Sequence, residues 1–452
     1  MTSASEDYTR PVHPRRVHHV IADARTRRLV GWLLAGVVTA VVTGPEGRIG
    51  QPAYSVSHSL HPAHLFTCIG LALAVGVLAE VWLAYRAQVR KAIAPAQAEV
   101  RRAWDQRLVR SAFYLVVLIL LIVLPDVLLG AYWQGVLVEQ IGIYALLALG
   151  LNVVVGFAGL LDLGYIAFYA IGAYTTAYFT GTLPVSPPFT LNPFFVIPLA
   201  VGAAMLAGLI LGAPTLRLRG DYLAIVTLGF GEIITILAVN MDSITNGARG
   251  AFGIPAFSLH LGPLHYTWGL TSLPYYYLLL IFGGLIFVLF RLLENSRVGR
   301  AWTALREDEV AAQACGIPPV KYKLMAFAIG ASTSGFAGAL YASKISYINP
   351  SSFTVSFSIL VLVFVIFGGM GSLVGSVVGA AVLQTVFAYV RKNNTVDPAD
   401  IYIYVGALLI VMMIFRPQGI VPSRRRAREI GLAEHGVGTA DALAAPIGSP
   451  DS

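Results

Sequence analysis

The chain has 452 residues, of which 57% are hydrophobic and 12% are charged, and its mean hydropathy is +0.73. Soluble proteins carry about 25% charged residues, so this composition excludes an ordinary soluble protein and predicts an all-α, polytopic integral membrane protein. The formal net charge of +8 at pH 7 is typical either of a nucleic-acid-binding protein or of a membrane protein whose cytoplasmic loops keep basic residues. The positions of the Lys and Arg residues along the chain decide between these two interpretations.

Twelve apolar segments follow one another along the chain, and several reach the roughly 18 residues that a membrane-spanning helix needs. Because the first and last are short, about 10–12 true helical segments are expected. The first 28 residues contain no apolar core, so no cleavable signal peptide is predicted. The segments lie at 29–44, 63–85, 111–129, 135–157, 159–181, 193–213, 221–240, 273–290, 324–342, 356–371, 373–390 and 401–415.

The segments divide the chain into three parts. Residues 1–110 form an N-terminal extension with two apolar segments and a basic polar stretch. Residues 111–420 form a core of closely spaced, glycine-rich segments. Residues 421–452 form a tail that begins with arginines and continues as an Ala/Gly-rich, polar stretch, which is predicted to be disordered.

The basic residues lie almost entirely on one side of this arrangement. If the N-terminus is cytoplasmic and the segments alternate, 26 of the 31 Lys and Arg residues fall on the cytoplasmic side. The positive-inside rule predicts such an asymmetry. We therefore expect both termini to be cytoplasmic and expect no nucleic-acid partner. The loops on that side are 1–28, 86–110, 214–220, 291–323 and 416–452.

Glu139, Asp162 and Glu232 are acidic residues within apolar segments, where a charge is costly and usually faces a bundle interior or a wet cavity. Glu232 lies in the middle of its segment. It either lines a pathway for a polar solute or fastens two helices by hydrogen bonding. For Glu139 the structural role is favoured. Asp162 is predicted to lie close to a segment end.

Glycines concentrate in two stretches, residues 150–164 and 368–380. Small residues let membrane helices pack closely, and they also permit unwinding beside a cavity. The run that includes Gly369 and Gly371 favours a break between segments, because glycine is a poor helix former. A pair of interrupted segments points to a translocation site in transporters.

A charged segment, residues 298–323, separates the eighth apolar segment from the ninth. Trp302, Leu305, Ala312 and Cys315 recur at helical spacings, which predicts one short amphipathic helix that ends at Gly316. Lipid-surface helices are rich in Lys and Arg. Here the polar face is both acidic and basic and the other face is mostly alanine, which favours docking onto a partner protein.

The sequence lacks the common nucleotide-binding and zinc-binding motifs. The chain has no G-x-x-x-x-G-K-[ST] phosphate loop and no H-E-x-x-H zinc motif, and G-x-G-x-x-G does not occur between a predicted strand and helix. Cys68 and Cys315 are about 250 positions apart in the sequence and suggest neither a disulfide nor a metal site. The enzyme interpretation has no support, and nucleotide chemistry would have to come from another chain.

Several sequence blocks resemble the branched-chain amino-acid ABC permease family, in particular its LivM-type subunits. They are LNVVVGFAGLLDLGYIAFYAIGAY, RGDYLAIVTLGFGEIITILAVN, GRAWTALREDEVAAQACGI and FGGMGSLVGSVVGA. The resemblance covers residues 111–420 and implies an ABC permease core there. Ala311, Ala312 and Gly316 match the A-A-x-x-x-G part of the ATPase-coupling motif, although Val310 occupies the motif's glutamate position and Glu309 lies one residue earlier.

The resemblance implies a multi-pass subunit of the bacterial inner membrane that forms half of a translocation pathway. The implied partners are a homologous second permease, two cytoplasmic ATPases that bind ATP and Mg²⁺, and a periplasmic binding protein, with lipid around the complex and no cofactor in this chain. Arg306, Glu309, Ala311, Ala312 and Gly316 would form the ATPase-coupling helix. The candidate pathway or gating residues are Asp162, Tyr165, Glu232, Gly369 and Gly371.

Two alternatives remain open at this stage. The first is the same machine for urea or an amide in place of an amino acid, since residues 246–255 depart from the pattern of relatives in a loop suited to contacting the binding protein. A gradient-driven secondary transporter is more distant, because such carriers are expected to show paired carboxylates or clear ion ligands. Uptake by the chain alone would distinguish this class.

Overall fold

A computed structural model describes residues 130–215, 221–261, 264–269 and 271–392, with Gly70, parts of 115–126 and 406–412, and residues 418–421. The chain separates into two compact units, residues 1–118 and 119–452, and almost all described residues belong to the second. The predicted segments at 29–44 and 63–85, most of those at 111–129 and 401–415, and most of the C-terminal tail lie outside the described residues.

The described part is mainly helical. The helices are α1 (Ala131–Phe157), α2 (Ile166–Phe179), α3 (Pro193–Thr215), α4 (Asp221–Asn240), α5 (Asp242–Thr245), α6 (Ser272–Asn295), α7 (Arg297–Glu307), α8 (Glu309–Ala314), α9 (Pro319–Ile345), α10 (Val355–Gly368) and α11 (Leu373–Lys392). Helix α1 contains two π-type stretches, Val136–Gly142 and Asn152–Phe157.

Short strands and turns connect some of these helices. Strands β1 (Ala251–Phe252) and β4 (Tyr347–Ile348) pair in antiparallel fashion, as do β2 (Ser258–Leu261) and β3 (Leu264–Thr267). Single 3₁₀ turns occur at Gly247–Arg249 and Pro350–Phe353. The β1–β4 pair joins the α5–α6 connection to the loop after α9.

Seven helices among the described residues are long and apolar enough to cross a membrane. Long apolar runs predict such helices because the backbone satisfies its own hydrogen bonds in lipid. The helices confirm the predicted segments 135–157, 193–213, 221–240, 273–290, 324–342, 356–371 and 373–390, each with ends shifted by a few residues.

The predicted segment 159–181 is only partly helical. Helix α2 has 14 residues, about 21 Å at 1.5 Å per residue, which is shorter than a hydrocarbon core of about 30 Å. Residues 158–165 before it are irregular. Gly159 has a positive φ of +71°, and a Cβ at Gly164 would lie 1.9 Å from the backbone oxygen of Thr227 in α4. The glycines therefore permit this break and its close packing against α4.

Helix α9 forms the centre of the bundle and packs against α1, α2 and α3 through small residues. A Cβ at Gly172 in α2 would lie 2.2 Å from the carbonyl oxygen of Gly335, and one at Gly338 would lie 2.2 Å from that of Tyr169. A Cβ at Gly208 in α3 would lie 2.6 Å from the Cβ of Ala331. Such contacts bring helix backbones together, which is how membrane helices associate in lipid.

The connections gather at the two ends of α9. Residues 158–160, 296–318 and 369–372 lie toward its first residue, and we call this the turn end. Strands β1 and β4 and the loop 345–354 lie toward its last residue, and we call this the strand end. Residues 418–421 also belong to the turn end, because the Ile420 and Val421 amides donate to the carbonyls of Phe367 and Gly368, both at 2.9 Å.

Candidate functional site

The charged segment between α6 and α9 forms two helices, so the prediction of one continuous helix is wrong. Ser296 caps α7 and accepts hydrogen bonds from the amides of Val298 and Gly299. Asp308 is extended and caps α8, and its carboxylate accepts from the amides of Val310 and Ala311 at 2.8 and 3.0 Å. Aspartate is among the preferred N-cap residues, which explains why the chain restarts a helix here.

The apolar face of the segment anchors it to the bundle. Trp302 is fully buried, and its indole donates to the Tyr322 carbonyl at 2.7 Å. Leu305 and Ala312 are buried with it, as the spacing predicted. Cys315 is exposed, so its expected place on this face is wrong. Helix α8 ends at Ala314, so Cys315 lies where the chain leaves the helix.

Helix α8 presents a small-residue surface away from the bundle. Ala311, Gln313, Ala314 and Gly316 are exposed, whereas Ala312 between them is buried. Gly316 has a φ of +83°, a conformation that glycine adopts without the steric cost of a Cβ. Its amide donates to the Gln313 carbonyl at 3.0 Å, so the predicted stop at Gly316 is confirmed.

Arg306 connects this segment to the two glycine-rich stretches. Its guanidinium donates to the carbonyl oxygen of Gly156 at the end of α1. A Cβ at Gly159 would lie 2.7 Å from the Arg306 side chain, and one at Gly371 would lie 3.4 Å from its Nη1. The arginine therefore passes through a space that Gly159 and Gly371 leave open.

The two glycine-rich stretches also contact each other directly. The buried Asn152 side chain accepts a hydrogen bond from the Gly371 amide at 2.8 Å. Gly369 and Gly371 have φ angles of +119° and +78° and form the predicted break, between α10 and α11. A Cβ at Gly369 would lie 2.7 Å from the Val421 carbonyl oxygen. The break is thus enclosed by α1 and by residues 418–421.

Glu309 pairs within the chain. Its carboxylate lies 2.7 Å from the ammonium of Lys323 in the first turns of α9. This ion pair joins the start of α8 to α9 and complements the apolar anchor at Trp302. The residues predicted for ATPase coupling therefore divide into internal contacts, made by Arg306, Glu309 and Ala312, and an exposed surface at Ala311 and Gly316.

Asp162 and Tyr165 are fully buried in the irregular stretch before α2 and at its start. The Asp162 carboxylate accepts from the Gly164 amide at 3.0 Å, and the neighbouring Leu163 amide donates to the Thr227 hydroxyl at 3.0 Å. The Tyr165 hydroxyl donates to the Gly330 carbonyl at 3.0 Å. These contacts fasten the break to α4 and α9.

Glu232 lies on the outer face of α4, separate from the buried candidates. It is exposed, as are its neighbours Ile233 and Ile236. Among the described residues it has no hydrogen bond or ion pair, so the helix-fastening role finds no partner within this part of the chain. The structure thus brings Gly369 and Gly371 to the Arg306 junction but not Glu232.

A cavity of about 380 Å³ opens among α1, α2, α9, α10 and α11, and the sequence analysis did not identify it. Glu139 lines it, together with Gln140, Tyr169, Gln384 and Arg391. Glu139 is one of the acidic residues within an apolar segment, and Arg391 lies in the last turn of α11. Their proximity has no sequence signal, because they lie about 250 positions apart.

The chain is similar to one protein family and to several individual relatives. A sequence model of the permease component of branched-chain amino acid transport systems matches residues 136–415. The LivM high-affinity branched-chain amino acid permease of Salmonella typhimurium is 42% identical over 302 residues, which are 63% of this chain and 68% of that protein.

For two more distant relatives, the match to this chain covers most of the relative's length. The probable LivM permease of Methanocaldococcus jannaschii is 24% identical over 321 residues, 63% of this chain and 91% of that protein. The LivH permease of Escherichia coli is 25% identical over 292 residues, 62% of this chain and 91% of that protein. No solved structure matches the chain.

Proposed function

The chain belongs to the family of permease components of branched-chain amino acid transport systems, and from that membership we propose that it is the LivM-type permease subunit of an ATP-driven importer. In this role it forms half of a translocation pathway for leucine, isoleucine, valine or related amino acids. A homologous permease of the LivH kind forms the other half, and two ATPase subunits and a substrate-binding protein complete the machine.

The observation that carries this proposal is the construction of residues 296–318. An exposed small-residue surface on α8 is attached to the bundle at two places: Trp302 and Glu309 contact the first turns of α9, and Arg306 contacts the end of α1. A force applied to α8 by a partner is thereby transmitted to α1, to α9 and to the glycine turn at Gly371. Interfaces that switch between states work through such packed contacts.

The distribution of charge supports an orientation with the turn end in the cytoplasm. Arg291, Arg297, Arg300, Arg306, Lys321 and Lys323 all lie toward the turn end. With this orientation both termini are cytoplasmic, α8 faces the ATPases, and the strand end faces the binding protein on the other side of the bacterial inner membrane.

Reconstitution of the complete importer in liposomes tests the proposal. With the second permease, both ATPases and the binding protein present, we expect concentrative leucine uptake that requires ATP inside the vesicle. Omission of the ATPases should abolish uptake. Gradient-driven uptake by this chain alone would contradict the proposal, and competition by urea or an amide, with none by leucine, would reassign the substrate.

A further inference from the structure

The cavity among α1, α2, α9, α10 and α11 contains charges of both signs. Glu139 and the neighbouring Gln140 line it from α1, and Arg391 lines it from the last turn of α11. The Arg391 guanidinium donates to the Gln140 side-chain oxygen at 3.2 Å. Intramembrane charges usually mark solute pathways, and a volume of about 380 Å³ falls within the range of small-molecule sites.

The π-type stretch Val136–Gly142 explains why α1 offers several polar groups here. Hydrogen bonds from residue i to i+5 replace the usual i to i+4 pattern in such a stretch. Residues five apart, such as Glu139 and Tyr144, then share one face, and both line the cavity. The Glu139 carboxylate also lies 3.6 Å from the Lys344 ammonium, while 37% of its side-chain surface remains accessible.

A buried polar group in the cavity wall has an unused hydrogen-bonding capacity. Gln384 is 2% exposed and lines the cavity from α11, and its side-chain oxygen accepts no hydrogen bond from the described residues. A buried carbonyl without a donor destabilises the folded chain, because it has lost its hydrogen bonds to water. A ligand that carries a hydrogen-bond donor would satisfy Gln384 and remove this destabilisation.

The remaining wall of the cavity is apolar. Leu147, Ile166, Leu360 and Phe387 line it, and Ile166 is the first residue of α2. The cavity therefore extends from the charged residues near the last turns of α9 and α11 down to the helix break before α2. A ligand that fits both parts has a polar, doubly charged end and a short aliphatic end.

We propose that this cavity binds the transported amino acid as a zwitterion. Its ammonium group donates to Glu139 and to the Gln384 oxygen, its carboxylate accepts from Arg391, and its branched side chain contacts Leu147 and Leu360. The inference rests on the proposed import of branched-chain amino acids and adds a substrate site within this subunit. In the proposed orientation the charged part of the cavity lies toward the binding-protein side.

Protection of an engineered cysteine tests the site directly. In the full chain, assembled with its partners and with both native cysteines replaced by serine, Gln140→Cys places a thiol in the cavity wall. Saturating L-leucine should slow the reaction of this thiol with a maleimide by about tenfold, a factor that corresponds to a free-energy difference of about 1.4 kcal/mol. Lys392→Cys, next to Arg391 but absent from the cavity wall, should react at an unchanged rate.

Two analogues and two charge variants test recognition of the zwitterion. 4-Methylpentanoate lacks the ammonium group and 3-methylbutylamine lacks the carboxylate, so each should protect at least about tenfold less well than leucine. Glu139→Gln and Arg391→Gln should raise the half-protecting leucine concentration by a similar factor, whereas Lys392→Gln should not. If Gln140→Cys fails to assemble, Ser352→Cys, which also lines the cavity, replaces it.

The outcomes separate this inference from the proposed function. Protection by leucine and its loss in both charge variants support the site. Equal protection by all three compounds would overturn it in favour of a lipid-like apolar cavity. If the importer takes up leucine but leucine does not protect the thiol, the site is overturned and the proposed function stands. If leucine protects the thiol but the importer does not take it up, the proposed function is overturned and the site stands.

Discussion

The Arg306 guanidinium donates a hydrogen bond to the carbonyl oxygen of Gly156, 150 positions earlier in the chain. This contact joins the charged segment at the turn end to the last turn of α1. Because Gly371 lies beside the same guanidinium, a displacement of α7 changes the surroundings of both glycine-rich stretches at once.

We expect Arg306→Gln to lower transport by about 5-fold or more, within the usual range of coupling between distant sites. Glutamine cannot supply the charged, branched donor that reaches Gly156, so motion of the segment would no longer be passed to α1. Transport and ATP hydrolysis measured in the same liposomes give the coupling ratio. Arg300→Gln is the matched control, since Arg300 is exposed and its guanidinium donates to the nearby Asn295 carbonyl within the same connecting segment. Equal effects of both variants would remove the Arg306 contact from coupling.

Two neighbouring alanines in α8 should respond differently to the same substitution. Ala311 is exposed and Ala312 is buried. We expect Ala311→Trp to leave the thermal stability of the purified chain unchanged and to reduce substrate-stimulated ATPase activity of the assembled importer. Ala312→Trp should instead destabilise the chain, because overpacking costs about 1–3 kcal/mol. Normal ATPase stimulation in Ala311→Trp would show that the partner binds elsewhere.

Close packing of α2 on α9 should be sensitive to a single methyl group. A Cβ at Gly172 would lie 2.2 Å from the Gly335 carbonyl oxygen, whereas one at Gly202 in α3 would have no neighbour within 4 Å. We expect Gly172→Ala to destabilise the chain by about 1–3 kcal/mol and Gly202→Ala to have no such effect. Thermal unfolding in detergent measures both. A stable Gly172→Ala would show that the two helices separate at little cost.

Substitution of Glu232 distinguishes a role in the stability of this chain from a role in transport or in contact with another subunit. Since the described residues offer it no hydrogen bond, Glu232→Gln should not lower the thermal stability of the isolated chain. A carboxylate facing lipid costs on the order of 2.5–3.5 kcal/mol, so we expect the substitution to stabilise the chain outside the complex. Loss of transport with normal assembly would support a role in the pathway or at the second permease, and full activity would exclude one.

The sequence by itself determined where the described helices lie and how its charges are distributed. Long apolar runs predicted the seven spanning helices because an unbroken helix satisfies its own backbone in lipid. Glycines at positions 316, 369 and 371 predicted the ends of helices because a positive φ suits glycine. The family resemblance of the blocks around these residues also came from the sequence.

Only the tertiary structure decided which residues face each other. A membrane helix is apolar on every side, so its sequence does not show which face contacts protein, and this is why Arg391 and Glu139 were not expected to share a cavity. Cys315 lies off the buried face that holds Trp302 and Ala312 because α8 ends at Ala314, one residue before it. The contact of Arg306 with Gly156, and the meeting of two glycine-rich stretches there, depend on how α1, α7 and α10 pack together.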